Sequence, residues 1–443
     1  MSRRRRRKLP KEPFEAVIED LSHDGRGVTS REEKKVFVHG ALTGERVSVK
    51  ITDRKRSYDE GETLEVIESS PDRVEPRCPH FGQCGGCSLQ HLDPQKQIEA
   101  KQNTLLQNLE RIGKVRPDTI WEPLTGPLWG YRRKARLSVR YVHKKERVLV
   151  GFRERYGRFV ADMQTCFVLD ERIASQLVGL ADLIASMEAR SSIPQIEVAC
   201  GDDQCALVFR HLEPLSEADI AKLTSFALDT GIAVLLQPAG PSSIHCLEPE
   251  SVNLQISVPD SDIRLAFGPS DFIQVNAGMN RKMIHQALEL LQPEAADRIL
   301  DLFCGLGNFT LPIARKAGEV VGVEGDAELV RLASENARRN GLDNVSFHVA
   351  DLTAEPGAAP WLKNGYDKVL VDPPRSGAEF ILPHIAASGA TRVVYVSCHP
   401  ASLARDAGIL VHEHGFRLLG AGVMDMFPHT GHVESIALFE RKA

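Results

Sequence analysis

From about residue 266 onward, short apolar runs alternate with amphipathic stretches, and each apolar run delivers a polar residue. Arg298-Ile299-Leu300 leads into Asp301-Leu302-Phe303-Cys304-Gly305-Leu306-Gly307-Asn308, and Glu319-Val320-Val321-Gly322-Val323 leads to Glu324. Val345 to Ala350 leads to Asp351, Lys368-Val369-Leu370-Val371 to Asp372-Pro373-Pro374-Arg375, and Val393-Val394-Tyr395-Val396-Ser397 to Cys398. Between these runs, Phe309 to Ala317, Asp326 to Asn340 and Ala401 to Glu413 have helical spacing; the second is apolar at Leu329, Val330, Leu332, Ala333 and Ala337. Alternating strand and helix patterns predict an α/β fold with a doubly wound sheet. In such a sheet, ligands and chemistry gather outside the carboxyl ends of the strands. Five polar strand ends therefore share one rim, and a thiol among carboxylates there points to an enzyme.

The amino-terminal pattern differs. Between residues 13 and about 70, Phe14-Glu15-Ala16-Val17-Ile18, Val36-Phe37-Val38, Arg46 to Ile51 and Leu64-Glu65-Val66-Ile67 read as short strands punctuated by Gly25, Gly27, Gly40, Gly44 and Gly61. Several short strands with regular turns predict a small β-barrel. Residues 71 to about 265 form a central α/β region, and the catalytic sheet follows from 266 to 443. At 443 residues, two to three domains are expected. No apolar run is long enough for a membrane span. Residues 1–12 open with Arg3 to Arg7, Lys8 and Lys11, too charged for a signal peptide. They read as a disordered arm that adds phosphate contacts, although the composition would also suit a nuclear signal.

Charge matters only when mapped. The total is 55 basic against 60 acidic residues, but residues 1–60 hold 16 Lys/Arg against 11 Asp/Glu and residues 95–160 hold 16 against 6. Residues 161–270 hold 5 against 16. Such segregation is the electrostatic footprint of a nucleic-acid partner. The basic segment contains Tyr131-Arg132-Arg133-Lys134-Ala135-Arg136 and a hairpin through Lys144 to Arg147, with Tyr131, Tyr141, Phe152 and Tyr156 available to stack on unpaired bases. A solvated charged face is the plain alternative.

Two constellations carry candidate chemistry. Gly305 and Gly307 make a tight strand-to-helix turn, and Glu324 follows at the spacing at which a carboxylate takes a ribose hydroxyl pair. A nicotinamide dinucleotide would fit the turn, but Gly305-Leu306-Gly307-Asn308-Phe309-Thr310 lacks the third small residue of that fingerprint. Asp351 and Asp372 suit an adenine amine and an aminoacyl ammonium, which favours S-adenosylmethionine. Nearer the amino end, Cys78, Cys84 and Cys87 flank Gly85-Gly86, a spacing for metal thiolates, either zinc or iron–sulfur. The nearest later cysteine able to complete the set is Cys166. Nine cysteines without a signal peptide argue for a reducing cytosol rather than disulfides, and Cys200, Cys205, Cys246 and Cys304 read as small buried hydrophobes.

Four ordered segments resemble the RNA uracil-C5 methyltransferases: Phe272-Ile273-Gln274-Val275-Asn276, Asp372-Pro373-Pro374-Arg375-Ser376-Gly377, Val394-Tyr395-Val396-Ser397-Cys398 and Gly431-His432-Val433-Glu434-Ser435. The family usually has Asn after the cysteine, where this chain has His399. The resemblance implies a Rossmann-like S-adenosylmethionine methyltransferase domain. It implies Cys398 as nucleophile at carbon 6 of uracil, Glu434 as the base that removes the carbon 5 proton, and Gln274, Phe303, Asn308, Glu324, Asp351 and Asp372 as cofactor contacts. Phe272 would stack on an extruded base, or belong to the core. The cysteines resemble the 4Fe–4S site of the ribosomal-RNA branch, with Cys78, Cys84, Cys87 and Cys166 as ligands. The barrel resembles the OB-like TRAM domain, which binds RNA. Barrel and cysteine cluster together resemble the branch acting on 23S ribosomal RNA in the cytoplasm, with no protein partner implied. Two rival classes remain: an iron–sulfur electron carrier or oxidoreductase, and a non-catalytic RNA-binding protein. Cys398 and Glu434 in family order weigh against both.

Overall fold

The computed structural model describes residues 9–10, 12–357, 359–363 and 365–441. The basic arm falls almost wholly outside them. Two compact units divide the chain: residues 1–104, 154–158 and 427–432 form the first, and residues 105–153, 159–426 and 433–443 the second.

The first unit is a six-stranded barrel sheet with the cysteine loop. Its strands are β1 (Phe14–Val17), β2 (Asp20–Leu21), β3 (Gly27–Arg31), β4 (Lys34–His39), β5 (Arg46–Arg54) and β6 (Tyr58–Glu68), in spatial order β1-β5-β6-β4-β3-β2. Four of these were legible in the sequence; β3 and β2 were not, because Gly27-Val28-Thr29-Ser30-Arg31 carries little apolar alternation. Alternate residues Val36, Val38, Val47, Val49 and Ile51 point inward with Ile18 and Ala41 to form the barrel core, the period-two pattern of a sheet with one wet face. Glu45, fully buried, is held by the Arg73 guanidinium, which keeps its carboxyl below the usual range.

The second unit contains two main sheets. A short strand β7 (Thr119–Ile120) is used at the edge of the larger one. The central sheet is built from β8 (Lys134–Val142), β9 (Arg147–Gly151), β10 (Gln195–Cys200), β11 (Cys205–Arg210), β12 (Ala233–Gln237) and β13 (His245–Glu248), in order β13-β12-β11-β10-β8-β9. The expected hairpin is present, Val142 pairing with Arg147. A two-stranded ribbon follows, β14 (Leu254–Val258) with β15 (Ile263–Phe267).

The catalytic sheet comprises β16 (Arg298–Leu302), β17 (Glu319–Glu324), β18 (Val345–Val349), β19 (Lys368–Val371), β20 (Arg392–Ser397), β21 (Phe416–Met424) and β22 (Glu434–Arg441), with β7 at its far edge. Its order is β18-β17-β16-β19-β20-β22-β21-β7. The first five strands are parallel, while β22 runs antiparallel between β20 and β21. The chain reverses direction beside β16, so the switch point of the sheet lies at the ends of β16, β17 and β19, where ligands bind in such folds. The expected helix 326–340 is Ala327–Arg339, with Asp326 capping its first amides and Arg338 and Arg339 in its last turn, both favourable to the helix dipole. Among the described residues no helix is long and apolar enough to cross a membrane.

Two expectations change. Cys200 and Cys205 are joined as a disulfide rather than standing as separate buried thiols. They sit directly opposite each other where β10 turns into β11, a juxtaposition set by hairpin register, which a count of cysteines does not reveal. Cys246 is half-buried, whereas Cys304 is buried as expected. The segment Tyr131 to Arg136 is only in part a basic face, since the Arg136 side chain is 69% exposed while others turn inward. Tyr131 is buried, Arg133 pairs with Asp202, Arg136 pairs with Glu197, and Lys134 is turned into main-chain carbonyls.

Candidate active site

Strand register brings the nucleophile candidate and the base candidate together. The last pair of the β20–β22 ladder is Ser397 with Ser435, reinforced by the Ser435 hydroxyl donating to the Ser397 carbonyl at 3.2 Å. Cys398 and Glu434 are the next residues on either side. Glu434 is 6% exposed and Cys398 half-buried. Burial pushes the Cys398 thiol up to about 11, and the Glu434 and Asp372 carboxylates push the same way, with Arg375 opposing them. All three charges therefore bear on the Cys398 thiol at the rim.

His399 does the work that a short polar residue does at a helix start. It caps the helix Pro400–His412 through Nδ1, which accepts from the Ser402 amide at 3.3 Å and lies 2.6 Å from Ser402 Oγ. The Ser402 hydroxyl donates to the Arg375 carbonyl, which ties the thiol loop to the Asp372–Gly377 loop. A second link is Asp406, fully buried, which accepts from the Tyr395 hydroxyl at 2.6 Å and the Ala378 amide at 2.7 Å. Nothing in the sequence marked Asp406 or Ser402, since the Ala378 amide and the Arg375 carbonyl that they tie to the thiol loop lie 28 and 27 residues away along the chain.

The neighbouring strand ends form an acidic cradle. Glu324 accepts from the amides of Gly305 (3.1 Å), Gly325 (2.7 Å) and Asp326 (3.1 Å). Gly305 and Gly307 have φ of 56° and 95°, and a side chain at Gly305 would meet only open space. The turn thus leaves room for a ligand against the backbone. Phe303 shares the left-handed conformation, φ 63°, a strain of about 1–3 kcal/mol that accumulates at functional sites. Burial raises Asp372 to about 7, with Glu324 adding to the effect. Asp301, fully buried within β16 rather than at its end, is also raised to about 7 by burial, and it receives the Thr310 hydroxyl. Asn308 exchanges paired amide hydrogen bonds with Asn280, 2.8 and 3.0 Å. Asp351 is exposed and turned into its own loop, accepting from the Thr353 amide and hydroxyl. Gln274 is half-buried two residues after Phe272, whose ring is 71% exposed. A solvent-facing ring is not core packing.

A family description for tRNA (uracil-5-)-methyltransferases matches residues 130–359 and 362–442, well over half the chain. The chain belongs to this methyltransferase family. The TRAM domain is matched at residues 9–64, on the barrel. The chain is 55% identical over 441 residues to the Alkalilimnicola ehrlichii protein named 23S rRNA (uracil(1939)-C(5))-methyltransferase RlmD, covering 99% of each. A Xanthomonas euvesicatoria protein of the same name is 55% identical over 442 residues, covering 99% of this chain and all of the relative. Among solved structures, the Pyrococcus abyssi tRNA (uracil-54, C5)-methyltransferase in complex with S-adenosyl-L-homocysteine aligns with a TM-score of 0.74. That alignment covers 96% of this chain and all of the other at 22% identity, and establishes the S-adenosylmethionine methyltransferase fold.

In this uracil methyltransferase the cysteine loop belongs to the first unit. Cys84 is buried, with its Sγ accepting from the Gly86 amide at 3.4 Å, and the Arg155 guanidinium donates to the Cys87 carbonyl. An amide directed at sulfur suits a thiolate ligand. Cys166 is buried in the second unit. Asp170 also lies beside the Cys200–Cys205 pair, but Arg172 engages both its oxygens at 2.8 Å, which leaves it a poor metal ligand.

Proposed function

We propose that this protein methylates carbon 5 of a uridine in 23S ribosomal RNA, through a covalent adduct between Cys398 Sγ and carbon 6 of the base. The register that sets Cys398 beside Glu434, with the charges of Asp372 and Arg375 bearing on the thiol, carries this reading. Carbon 5 of uracil is too weak a nucleophile to take a methyl group unaided. Addition of Cys398 sulfur at carbon 6 makes the ring an enolate that is nucleophilic at carbon 5, one hard step replaced by easier ones. With its thiol raised to about 11, Cys398 rests protonated; because the thiolate is the attacking form, the S–H proton passes to solvent water as the sulfur–carbon 6 bond forms, leaving Glu434 free for the later step. S-adenosylmethionine supplies the electrophilic methyl group. Once carbon 5 is methylated, Glu434 takes its proton, and the carbon–sulfur bond breaks to release the product. Phe272 stacks on the extruded base.

The cradle suits S-adenosylmethionine because its crowded carboxyls want donors. Glu324 would receive the ribose hydroxyls, and Asp372, Asp351, Asn308, Gln274 and the backbone around Phe303 would hold the rest. Glu324→Ala is expected to weaken S-adenosylmethionine binding by about a hundredfold, the loss of charge-assisted hydrogen bonds. Titration calorimetry checks this, and wild-type affinity would take Glu324 out of the site.

We also infer that Cys78, Cys84, Cys87 and Cys166 hold a 4Fe–4S cluster, supported by the thiol spacing and by the amide aimed at Cys84 sulfur. Anaerobically prepared protein should carry about four irons with matching acid-labile sulfide, and Cys84→Ser should lose both. Zinc in place of iron would move the assignment to a structural zinc site. The working division is a TRAM barrel for RNA up to about residue 70, a cysteine-bearing central region to about 265, and the catalytic sheet beyond, in a cytoplasmic enzyme.

A further inference from the structure

Residues 132–134 run against the segment 268–276, and each grips it differently. Arg132 forms an antiparallel bridge with Asn276. The Arg133 amide donates to the Val275 carbonyl at 2.8 Å. Its guanidinium pairs with Asp202, which also receives Arg281 and the Ser257 amide. Lys134 directs its ammonium at two main-chain oxygens in one turn, donating to Pro269 O at 2.9 Å and to Asp271 O. The turn is closed from within as well: the Gly268 amide donates to the Asp271 carboxylate at 2.6 Å, and the Asp271 amide to the Gly268 carbonyl at 3.1 Å. Phe272 and Gln274 follow immediately.

Burial of an ammonium is expensive, and carbonyl acceptors offset only part of the cost. Lys134 bears it: burial lowers its pKa to about 8 against the opposing pull of Asp271 and Glu197. No step of the methylation chemistry uses this side chain. A methionine of similar length would fill the space without a buried charge. What only the lysine supplies is a clamp on a turn that leads to an exposed aromatic ring. A ring held ready to stack binds better than one that must be ordered at the moment of binding.

We propose that Lys134 is a positioning residue that locks the Gly268–Asp271 turn and thereby presents Phe272 to the extruded uracil. The proposal rests on the stacking role given to Phe272 above. Because the clamp is formed before RNA arrives, its loss acts on RNA binding rather than on the chemical step.

Steady-state methylation by the full-length protein, with a 23S ribosomal RNA fragment containing the target uridine, tests this with Lys134→Met, Phe272→Ala and the double variant. Each single variant should raise the KM for RNA by about tenfold, the scale of one base-stacking contact, with kcat within about twofold and the KM for S-adenosylmethionine unchanged. The double variant should be no worse than Phe272→Ala alone. KM increases that multiply in the double variant, or a Lys134→Met protein with wild-type KM, would overturn the clamp while leaving stacking intact. Wild-type KM in Phe272→Ala would instead overturn the stacking reading itself. Should Lys134→Met fail to fold, Asp271→Ala opens the same turn from its other side and must show the same rise and the same non-additivity with Phe272→Ala; a wild-type KM there rejects the proposal.

Discussion

Cys398→Ala is expected to abolish methylation, a loss of at least about four orders of magnitude, because a missing nucleophile leaves carbon 5 without an enolate to attack from. RNA containing 5-fluorouridine at the target separates this from ordinary damage. Fluorine at carbon 5 cannot be removed as a proton, so the wild-type protein, given S-adenosylmethionine, should be trapped as a band that survives a denaturing gel. Cys398→Ala should give no such band while still retaining RNA and S-adenosylmethionine. Its folded structure has little to lose, since the half-buried thiol contributes a small side chain at a strand end. A trapped band with the alanine variant would place the nucleophile elsewhere. Intact RNA binding with no band for the wild-type protein would reject the covalent route and revive the RNA-binding reading.

Glu434→Gln should separate the two halves of the reaction. The adduct forms and carbon 5 is methylated, but the proton stays, so RNA with an ordinary target uridine should accumulate as a methylated covalent complex while turnover falls by roughly a hundredfold to ten-thousandfold. The same variant has a second readout. The Glu434 carboxylate helps to hold the Cys398 thiol up near 11. Removing that negative charge lowers the thiol pKa, so a larger fraction is thiolate at any pH below it, and alkylation of Cys398 at pH 8 should become faster. Slower turnover together with a more reactive thiol is a combination that simple disruption of the site does not produce. Turnover at the wild-type rate would remove Glu434 from the mechanism.

Much of the catalytic sheet was legible because parallel strands buried on both faces read as continuous apolar runs, and each run here ends in a polar residue. The pairing of Cys398 with Glu434 was expected only in outline. Its geometry depends on β22 running back between β20 and β21, and a strand inserted antiparallel leaves no local mark. Asp301 was read as a strand end but lies inside β16, where the Thr310 hydroxyl donates to one of its oxygens and burial raises its carboxyl to about 7. The basic run at 131–136 misled for a related reason. Arg133 and Lys134 meet Asp202 and the carbonyls of a turn, partners 69 and 137 residues away in sequence, while Arg136 stays exposed beside Glu197, so composition could not distinguish surface charges from internal clamps.

The edge strand β7 alters what counts as the catalytic part of the chain. Thr119 and Ile120 pair with Gly420 and Ala421, and Trp121 lies so close to Gly420 that no side chain fits there. An edge left open offers unpaired amides and carbonyls to any passing strand. Here a two-residue strand encoded just ahead of the central sheet covers part of the far side of the last one, so the central region is threaded between a sheet and its own border. Recombination that exchanged only the carboxyl-terminal half of this gene would carry the chemistry and leave its hem behind.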